Sequence, residues 1–414
     1  MSKIFLLFFI FILFLPNLSL SAELPSIEGN YKSFFSIIDN PDLALKGNPV
    51  KGSVSNRLRL KSSYTPFDWL YLQLAYDLSF EVEDTTGTNS PFSNLLSGQR
   101  YRIDDLNSRI FPSRDDDYAN FGIYQNLDRL SATFRVPFAD ITVGRQVVAW
   151  GNARVVNPTD IISPFTFDSL DTEERPGVDA LRLLFPIGFM GELDGGIVFG
   201  KEAEFDKNTL YLRGKYYIFE SDISLLIMDF QKNLLLGFNF ARSIAEAGFW
   251  CESAYVFSGL FVNEEVYEDY FRFSIGSDYS FTENTYSFLE YHWNQAGINE
   301  PEDYLNQIAK AAYTDGSVYF LGQHYLIPGI SYQVTPLINA ELRILANLSD
   351  FSVLIYPFIE YNIATDIYLS LGGFIGIGKK PDLKSTTFNV PDIRLRSEFG
   401  GYPDVYFSSF RLYF

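Results

Sequence analysis

The sequence predicts an all-β fold, a transmembrane antiparallel β-barrel of about 18 strands, with 16 as the alternative count. Three observations predict it: segments that alternate apolar and polar side chains, short connections that alternate with long ones, and many aromatic residues. Aromatic residues make up 17 % of the chain, including 40 Phe and 27 Tyr. A barrel in a membrane needs an apolar outer face, a polar interior and aromatic girdles at both interfaces.

The N-terminus, residues 1–22, has the pattern of a secretory signal peptide. Lys3 precedes the apolar run 4–15, and small residues lie around Ser21 and Ala22, where we expect cleavage. A membrane anchor is the alternative, but a spanning helix needs about 20 apolar residues. No later segment is apolar over the length of such a helix, which argues against a helical membrane protein. We therefore expect one barrel domain, residues 23–414.

Strands are predicted wherever apolar and polar side chains alternate with period two. In segment 56–63, for example, Leu58 and Leu60 point one way, and Arg57, Arg59 and Lys61 point the other way. Candidate strands lie near 28–38, 51–63, 68–81, 126–136, 139–148, 178–185, 192–199, 209–218, 221–230, 233–243, 245–257, 268–279, 282–293, 323–334, 336–348, 351–362, 365–377 and 403–414.

The connections between these strands fall into two sets. One set is short, as at 219–221 and 335–336. The other contains nearly all the long connections, such as 82–125 and 149–177. Short periplasmic turns that alternate with long extracellular loops are typical of outer-membrane barrels, whereas a soluble sandwich has no reason to sort its connections in this way.

Charge and residue types exclude several functional classes. The net charge is −19, and it becomes −20 when the signal peptide with Lys3 is removed, which argues against a nucleic-acid partner. The single Cys251 forms no intrachain disulfide. The sequence contains no G-x-S-x-G elbow, no phosphate-binding loop and no Cys/His metal spacing. We therefore predict no catalytic residue, no cofactor, no metal and no enzyme activity.

Two alternatives to this absence of chemistry stay open. Glu290 and His292 are two residues apart on one strand face, so a hydrolase could use them as a dyad, although a polar pair inside the barrel is the simpler interpretation. The three carboxylates of Asp115, Asp116 and Asp117 could help to hold Ca²⁺, but the spacing of a calcium loop is missing. A solvated acidic loop is favoured.

The strand face opposite the apolar one should line the barrel interior, and it is rich in arginine. Charged rings on a pore wall select ions, so this face favours anionic or hydroxylated solutes, unless the interior charges only neutralise one another. The candidate pore-lining or constriction residues are Arg57, Arg59, Arg129, Arg135, Arg145, Arg154, Asp160, Glu173, Glu174, Arg175, Arg182, Arg272, Glu341 and Arg343.

The segment 144–177 combines the end of a strand with a long loop. If the strand continued, Arg145 would point into lipid, which costs about 2–4 kcal/mol at the midplane. Either the strand has reached the rim of the barrel, or a bulge at Gly144 turns Arg145 inward. In the loop 149–177, Arg154 and Arg175 could face acidic residues across a narrow opening that prolines stiffen.

Two stretches resemble known families. The pattern G-R-Q-x-x-x-W-G at 144–151, with N-P-x-D and P-F after it, resembles porin-like proteins of the alginate-export and carbohydrate-porin kind. In general porins the loop at the position of 149–177 folds into the barrel and narrows it. The last strand, FSSFRLYF, resembles the C-terminal signature strand of Gram-negative outer-membrane barrels, which ends in an aromatic residue, here Phe414.

These resemblances imply a location and partners. We expect the Gram-negative outer membrane, contact with its lipid and lipopolysaccharide, and recognition by the barrel-assembly machinery through the C-terminal strand. An oligomer is compatible with the resemblance. We do not expect a TonB-dependent transporter, because no segment of the size of a plug domain precedes the first predicted strand.

The leading hypothesis for function is a porin-like channel for passive diffusion of small hydrophilic solutes, anionic or sugar-like, with loop 149–177 as the candidate constriction. The alternative is a plugged barrel that binds capsule or another polysaccharide at the cell surface. Aromatic residues of the outer loops would then stack on sugars, and the candidates are Tyr101, Phe111, Tyr118 and Phe121.

Overall fold

A computed structural model describes residues 24–41, 50–83, 100–106, 108–113, 120–165, 170–261, 268–316, 318–385 and 391–414. The expected signal peptide (1–22), Asp115–Asp117 and Tyr118 lie outside these ranges. None of the helices in the described ranges is long and apolar enough to cross a membrane.

Within these ranges, eighteen antiparallel strands form one closed barrel, because β18 pairs with both β17 and β1. This confirms the predicted fold class and strand count. The barrel strands are β1 (Ser26–Asp39), β2 (Val50–Phe67), β3 (Leu70–Glu83), β4 (Phe121–Val136), β5 (Ala139–Gln146), β6 (Val178–Ile187), β7 (Gly191–Val198), β8 (Thr209–Ile218), β9 (Ser221–Phe230), β10 (Asn233–Ile244), β11 (Ala247–Phe257), β12 (Tyr270–Thr282), β13 (Thr285–Asn294), β14 (His324–Thr335), β15 (Ile338–Asn347), β16 (Ser352–Ala364), β17 (Ile367–Ile377) and β18 (Asp404–Tyr413).

Smaller elements lie outside this ring of strands. A short strand, Arg109–Phe111, pairs with β4, and the strands Asp382–Ser385 and Pro391–Arg394 form a separate hairpin. The connection between β13 and β14 carries the short helices Tyr304–Gln307 and Ala311–Thr314. These elements belong to the long connections, as expected for loops at one end of the barrel.

Side-chain alternation follows the register of the pairs. On β14, Ile330 is exposed and lies opposite Leu342, whereas its neighbour Ser331 lies opposite Glu341 on the interior face. At this pair of strands the apolar side chains lie on the outer surface and the polar side chains point inward, the alternation that the sequence predicts.

The connections at one end of the barrel are tight turns of two or three residues. The turn between β8 and β9 uses Phe219 and Glu220, both at positive φ (52° and 58°). Two successive residues at positive φ match the twist of the flanking strands, so a turn of two residues is long enough to connect them. All the long connections lie at the other end of the barrel, so they can meet over its mouth or inside it.

One register shift affects the interior charges. Asp128 on β4 has no partner on β3, because Ala75 pairs with Arg129 and Tyr76 pairs with Leu127. This extra residue lets the adjacent Asp128 and Arg129 both take part in buried ion pairs. Strict period-two alternation along β4 would instead place Asp128 on the face of Leu130.

The interior is not polar throughout. By register, Phe288, Tyr356, Phe358 and Phe407 point inward on the strands from β13 to β18. Gly372 lies between Phe358 and Phe407, and a Cβ there would come within 2.7 Å of the Phe407 ring. The glycine therefore allows the two rings to approach, with centroids 6.3 Å apart.

Candidate functional site

The candidate site is built on the connection between β5 and β6, residues 147–177, called the inner loop here. It includes the predicted loop 149–177. Near its start, Trp150 is buried and donates its indole N–H to Asp194 on β7, at 3.2 Å. Asp194 also binds Arg182 on β6 (2.8 Å) and the Tyr211 hydroxyl on β8 (3.1 Å). The inner loop therefore leaves β5 on the inward side of the neighbouring strands.

Glu290 on β13 is the first anchor of the inner loop. Its fully buried carboxylate accepts hydrogen bonds from three successive backbone N–H groups, those of Arg154 (2.7 Å), Val155 (3.3 Å) and Val156 (2.9 Å). The Trp250 indole donates a fourth, at 3.1 Å. Hydrogen bonds to a charged acceptor are stronger than neutral ones, so this carboxylate holds the loop backbone firmly.

Glu252 on β11 is the second anchor, and it is also fully buried. It accepts from the backbone N–H groups of Asn152 (2.8 Å), Ala153 (3.1 Å) and Thr159 (2.9 Å), and from the Thr159 hydroxyl (2.7 Å). Residues 152–159 thus bend around two wall carboxylates. Every oxygen of the two carboxylates accepts at least one hydrogen bond from the inner loop.

The strand between these anchors, β12, adds three further contacts. Ser274 donates its hydroxyl to the carbonyl of Val156 (2.7 Å), and Arg272 donates to the carbonyl of Pro158 (3.0 Å). Arg154 makes an ion pair with Asp278 (2.5 Å), and its guanidinium lies 5.2 Å from the ring centroid of Trp250. The first half of the inner loop is therefore fixed to β11, β12 and β13.

The second half of the inner loop contacts a different part of the wall. Lys32 on β1 binds both oxygens of Asp171 at 3.0 Å and Glu173 at 2.6 Å, and its side chain is completely buried. Asp171 also pairs with Arg57 on β2. Glu173 pairs with Arg411 and accepts from the Tyr413 hydroxyl (2.7 Å), both on β18.

Residues 174–177 continue these contacts toward β6. Glu174 pairs with Lys61 and lies 3.7 Å from Arg59, both on β2. Arg129 on β4 donates to the carbonyl of Arg175 (2.6 Å), and the N–H of Gly177 donates to Asp128 (2.9 Å). Gly177 has to be glycine, because a Cβ there would lie 1.9 Å from the carbonyl oxygen of Asp128.

The two halves of the inner loop are held by opposite walls. In a closed ring of 18 strands, β2 and β11 are nine strands apart, so Arg57 and Glu252 lie on opposite sides of the barrel. Loop residues bind to both. The wall side chains that make these contacts face inward. Arg57 and Arg411, for example, lie directly opposite the buried Lys32 in the strand register.

An ion pair inside the inner loop joins its halves. Arg175 pairs with Asp160 and donates to the carbonyl of Ser163 (2.6 Å), and it lies 4.5 Å from the Phe165 ring centroid. Burial raises the pKa of Asp160 to about 6, although Arg175 acts in the opposite direction. The sequence predicted only that Arg175 could face acidic residues of this loop, and in the structure its partner is Asp160.

The loop carboxylates that face Lys32 behave differently. Burial alone would raise the pKa of Asp171, but Arg57 and Lys32 outweigh it and hold the pKa below its ordinary value. Glu173 likewise has a lowered pKa, because hydrogen bonds from Lys32 and Tyr413 outweigh the effect of its burial. Both carboxylates are therefore charged at neutral pH, and the ion pairs persist until the pH falls below the ordinary carboxyl range.

Arg145 does not point into lipid, because its side chain is buried. Pairing continues past Gly144 without an extra residue, so the alternative of a bulge at Gly144 is wrong. The register shift lies at Asp128 on the neighbouring strand β4. Gly144 does have a positive φ of 111°. The Arg145 guanidinium pairs with Asp179 and Asp105, both at 2.8 Å. It thus holds segment 100–106 to the rim.

The other candidate residues are mostly paired. Arg59 pairs with Asp77 and Asp128, Arg129 with Asp128, Arg182 with Asp194, and Arg343 with Glu341, while Arg135 lies over the ring of Tyr71. The interior cations are thus largely neutralised. Among these candidates the side chains of Arg154 (50 %) and Arg343 (39 %) keep much of their surface accessible, and Arg135 is exposed as well.

Arg343 lies beside the aromatic patch of the interior. Its guanidinium is 5.5 Å from the Tyr356 ring centroid, and the Tyr356 and Phe358 rings stack at 5.8 Å. A cavity at the turn end of the barrel extends along the same strands, and its lining includes Tyr286, Ser331 and Glu360. Cations next to aromatic faces can hold a solute that carries both a negative charge and an apolar or ring-shaped surface.

The groups named for the two alternative functions are placed as follows. Glu290 binds loop amides, and the buried His292 contacts Ser274 (2.9 Å) rather than Glu290, so the proposed dyad is not assembled. Tyr101 is buried and unavailable for stacking on a sugar. Phe111 and Phe121 are exposed, with ring centroids 6.0 Å apart.

A cluster of buried polar groups joins the remaining long connections to the wall. Glu398 accepts from the Tyr325 hydroxyl (2.5 Å) on β14, from Asn347 (2.7 Å) on β15 and from the N–H of Leu321 (2.9 Å). Burial raises the pKa of Glu398 to about 8. Glu398 therefore ties connection 378–403 to connection 295–323 and to β14 and β15.

Several site residues were not found from the sequence. Lys32 lies on a strand whose inward face also carries Phe34 and Ile38, so alternation gave no signal for it. Glu252 and Asp194 are buried interior acids, and a single acidic residue on an inward strand face does not indicate a contact with a loop. Glu290 was noticed, but its role was not, because its partners are backbone N–H groups, which have no side-chain signature.

Comparison with known proteins supports the fold. No protein-family model matches the chain, and no curated protein is similar in sequence. Among solved structures, Acinetobacter baumannii OccAB4 has a TM-score of 0.55 at 10 % identity, over 95 % of this chain and 99 % of that chain. A. baumannii OccAB1 has a TM-score of 0.53 at 12 % identity, over 96 % and 98 %.

The outer membrane protein OpdK from Pseudomonas aeruginosa is also similar. Its structure with vanillate has a TM-score of 0.52 at 10 % identity, over 94 % of this chain and 99 % of that chain. At these identities the likeness concerns the fold, and it extends over nearly the whole of each chain. The chain is therefore similar, from end to end, to the fold of the OccAB proteins and of OpdK.

Proposed function

We propose that the chain is a porin-like channel of the Gram-negative outer membrane, through which small hydrophilic, anionic or sugar-like solutes diffuse passively. Residues 1–22 would serve as signal peptide and residues 23–414 as the single barrel domain. The inner loop would be the constriction, and lipid and lipopolysaccharide would surround the apolar outer face. The barrel-assembly machinery would recognise the strand that ends at Phe414.

One observation carries this proposal: the inner loop is bound to opposite walls of a closed barrel with charged inward-facing side chains. Irregular backbone at the depth of the membrane is tolerated only where it is buried in protein or lines a water-filled cavity. The loop divides the interior, so a solute has to pass beside it. The similarity to OccAB and OpdK structures supports the same interpretation.

Solute preference follows from the groups that stay accessible beside the inner loop. Arg154 and Arg343 are two accessible interior cations among the candidates, and Arg343 lies against Tyr356. The cations of β1 and β2, in contrast, are neutralised by Asp171, Glu173 and Glu174. Arg154 and Arg343 would therefore set the field that a passing anion meets.

The test is a recording of the folded protein in planar bilayers. Wild type should give discrete conductance steps and a reversal potential, in a KCl gradient, that indicates anion preference. R154Q and R343Q together should lower the chloride-to-potassium permeability ratio by about twofold or more, because two accessible positive charges are lost. Arg242→Gln is the matched control, because Arg242 pairs with Glu220 near a turn and faces away from the interior.

The outcomes separate the candidate functions. An unchanged permeability ratio in the R154Q/R343Q variant would refute the proposal that Arg154 and Arg343 set the field that a passing anion meets. If wild type gives no conductance steps and retains polysaccharide on a column, the plugged surface-binding barrel would replace the channel. The exposed rings of Phe111 and Phe121 would then be the residues to change first.

A further inference from the structure

Three cations lie side by side on the interior wall. Lys32 on β1 is directly opposite Arg57 on β2 and directly opposite Arg411 on β18. We call Arg411, Lys32 and Arg57 the basic row. Like charges directly opposite each other on neighbouring strands destabilise a sheet, so the basic row requires an anion.

The chain supplies that anion itself. Asp171 and Glu173 both bind Lys32, Asp171 also pairs with Arg57, and Glu173 also pairs with Arg411. Asp171 and Glu173 thus pair with all three cations, of which Arg411 also pairs with Glu360 on β16, and Glu174 pairs with Lys61 next to them. We call residues 170–175 the latch segment. Every ion pair between the latch segment and the wall joins a loop carboxylate to a wall cation. The loop carboxylates therefore occupy the positions that a bound anionic solute would take.

The two ends of the inner loop are held by interactions of different kinds. Glu252 and Glu290 are fully buried, and they accept from backbone N–H groups, which a passing solute cannot replace. The carboxylates of Asp171, Glu173 and Glu174 keep 15 %, 35 % and 25 % of their side-chain surface exposed. Lys32 is completely buried, but these carboxylates are open to water, so salt and competing ions can reach the ion pairs from the carboxylate side.

From this asymmetry we propose that the latch segment is a displaceable electrostatic latch, which an anionic solute releases by taking the place of its carboxylates on the basic row. Residues 152–159 remain on their wall as the fixed arm, while the latch segment leaves the opposite wall and widens the passage. A solute with two or more anionic groups would compete best, because it offers the same number of charges as Asp171 and Glu173. This inference rests on the proposed channel function.

The test weakens the latch from each of its two sides. The double variant Asp171→Asn/Glu173→Gln removes the two loop carboxylates from the basic row, while Arg411 keeps its ion pair with Glu360. Lys32→Met removes the central cation and keeps the length of the side chain. Both should raise the single-channel conductance by about twofold or more at low salt, because both release the latch segment. Their selectivity should shift in opposite directions, toward anions in the first and toward cations in the second.

A matched control changes interior charge without touching the inner loop. Glu192→Gln/Asp222→Asn removes two carboxylates that pair with Arg213 and Lys215 on the interior face. It should shift selectivity toward anions as the first variant does, but leave the conductance near that of wild type. Circular dichroism and heat-dependent gel mobility would show that each variant is folded.

The outcomes separate the latch from the channel. If wild type gives no conductance steps, the channel proposal itself fails. If wild type conducts and Lys32→Met conducts no more than wild type, the latch is refuted while the channel stands. The same holds if the conductance of Asp171→Asn/Glu173→Gln rises no more than that of the control. If one variant does not fold, the other still decides.

Discussion

Glu290→Leu is expected to raise the single-channel conductance about twofold or more, because it removes the acceptor for three successive N–H groups of the inner loop. An unsatisfied buried N–H costs about 1–3 kcal/mol, so residues 154–156 gain more by leaving the wall for water than by staying. The variant should also show larger fluctuations of the open current, since the fixed arm has lost one of its two anchors.

His292→Phe is the matched control for this variant. His292 lies on the same strand, points inward and is buried, and its ring nitrogen contacts Ser274 and not the loop backbone. Ser274 donates its hydroxyl hydrogen to the Val156 carbonyl, and it keeps that bond when the imidazole is removed. It should leave the conductance within the range of wild type. Equal conductance of Glu290→Leu and wild type would mean that the anchored segment does not limit the flow of ions.

Ile330→Arg is expected to lower the free energy of unfolding by about 2–4 kcal/mol, the cost of an arginine on the lipid face near the midplane. Ile330 is in the middle of β14, and its side chain is exposed on the outer face opposite Leu342. Urea unfolding in lipid vesicles, followed by tryptophan fluorescence, measures the change. The wild-type protein provides the reference curve.

Ser331→Arg supplies the contrast one residue away. Ser331 lies on the interior face opposite Glu341 and lines the cavity at the turn end of the barrel, where an arginine can reach water and a carboxylate. Its unfolding free energy should stay within about 1 kcal/mol of wild type. If the two variants were equally destabilised, the assignment of outer and inner faces would be wrong.

The barrel itself could be predicted from local signals. Period-two alternation in segments such as 56–63 is a property of neighbouring residues, and each tight turn separates two such segments by two or three residues. Closure then follows from geometry, since an open edge in a membrane would leave backbone groups unpaired. For these reasons the fold class and the number of strands agree with the structure.

The contacts of the inner loop could be predicted only in part. The sequence indicated that Arg175 could face acidic residues of the same proline-rich loop, but not that its partner is Asp160. The anchoring of residues 154–156 on Glu290 was not predicted, because it joins backbone N–H groups to a side chain more than a hundred positions away. Nothing in the residue types of 154–156 indicates it.

Two features of the interior lie beyond local sequence patterns. A period-two pattern cannot reveal the extra residue at Asp128, and only the register with β3 shows it. The sequence left open whether the interior arginines select anions or are neutralised, because their charge balance depends on Asp171, Glu173 and Glu174, which reach the wall through the fold of the inner loop. Charge on a strand face therefore overstates the field inside the barrel.

The central claim is that the inner loop limits the passage through the barrel, and one measurement tests it most directly. Residues 152–174 are replaced by a short glycine-serine linker, and the single-channel conductance is compared with that of wild type. We predict a rise of several-fold, with entry of larger neutral solutes in a liposome-swelling assay, because both wall contacts of the loop are lost. A folded variant whose conductance and solute size limit equal those of wild type would contradict the claim.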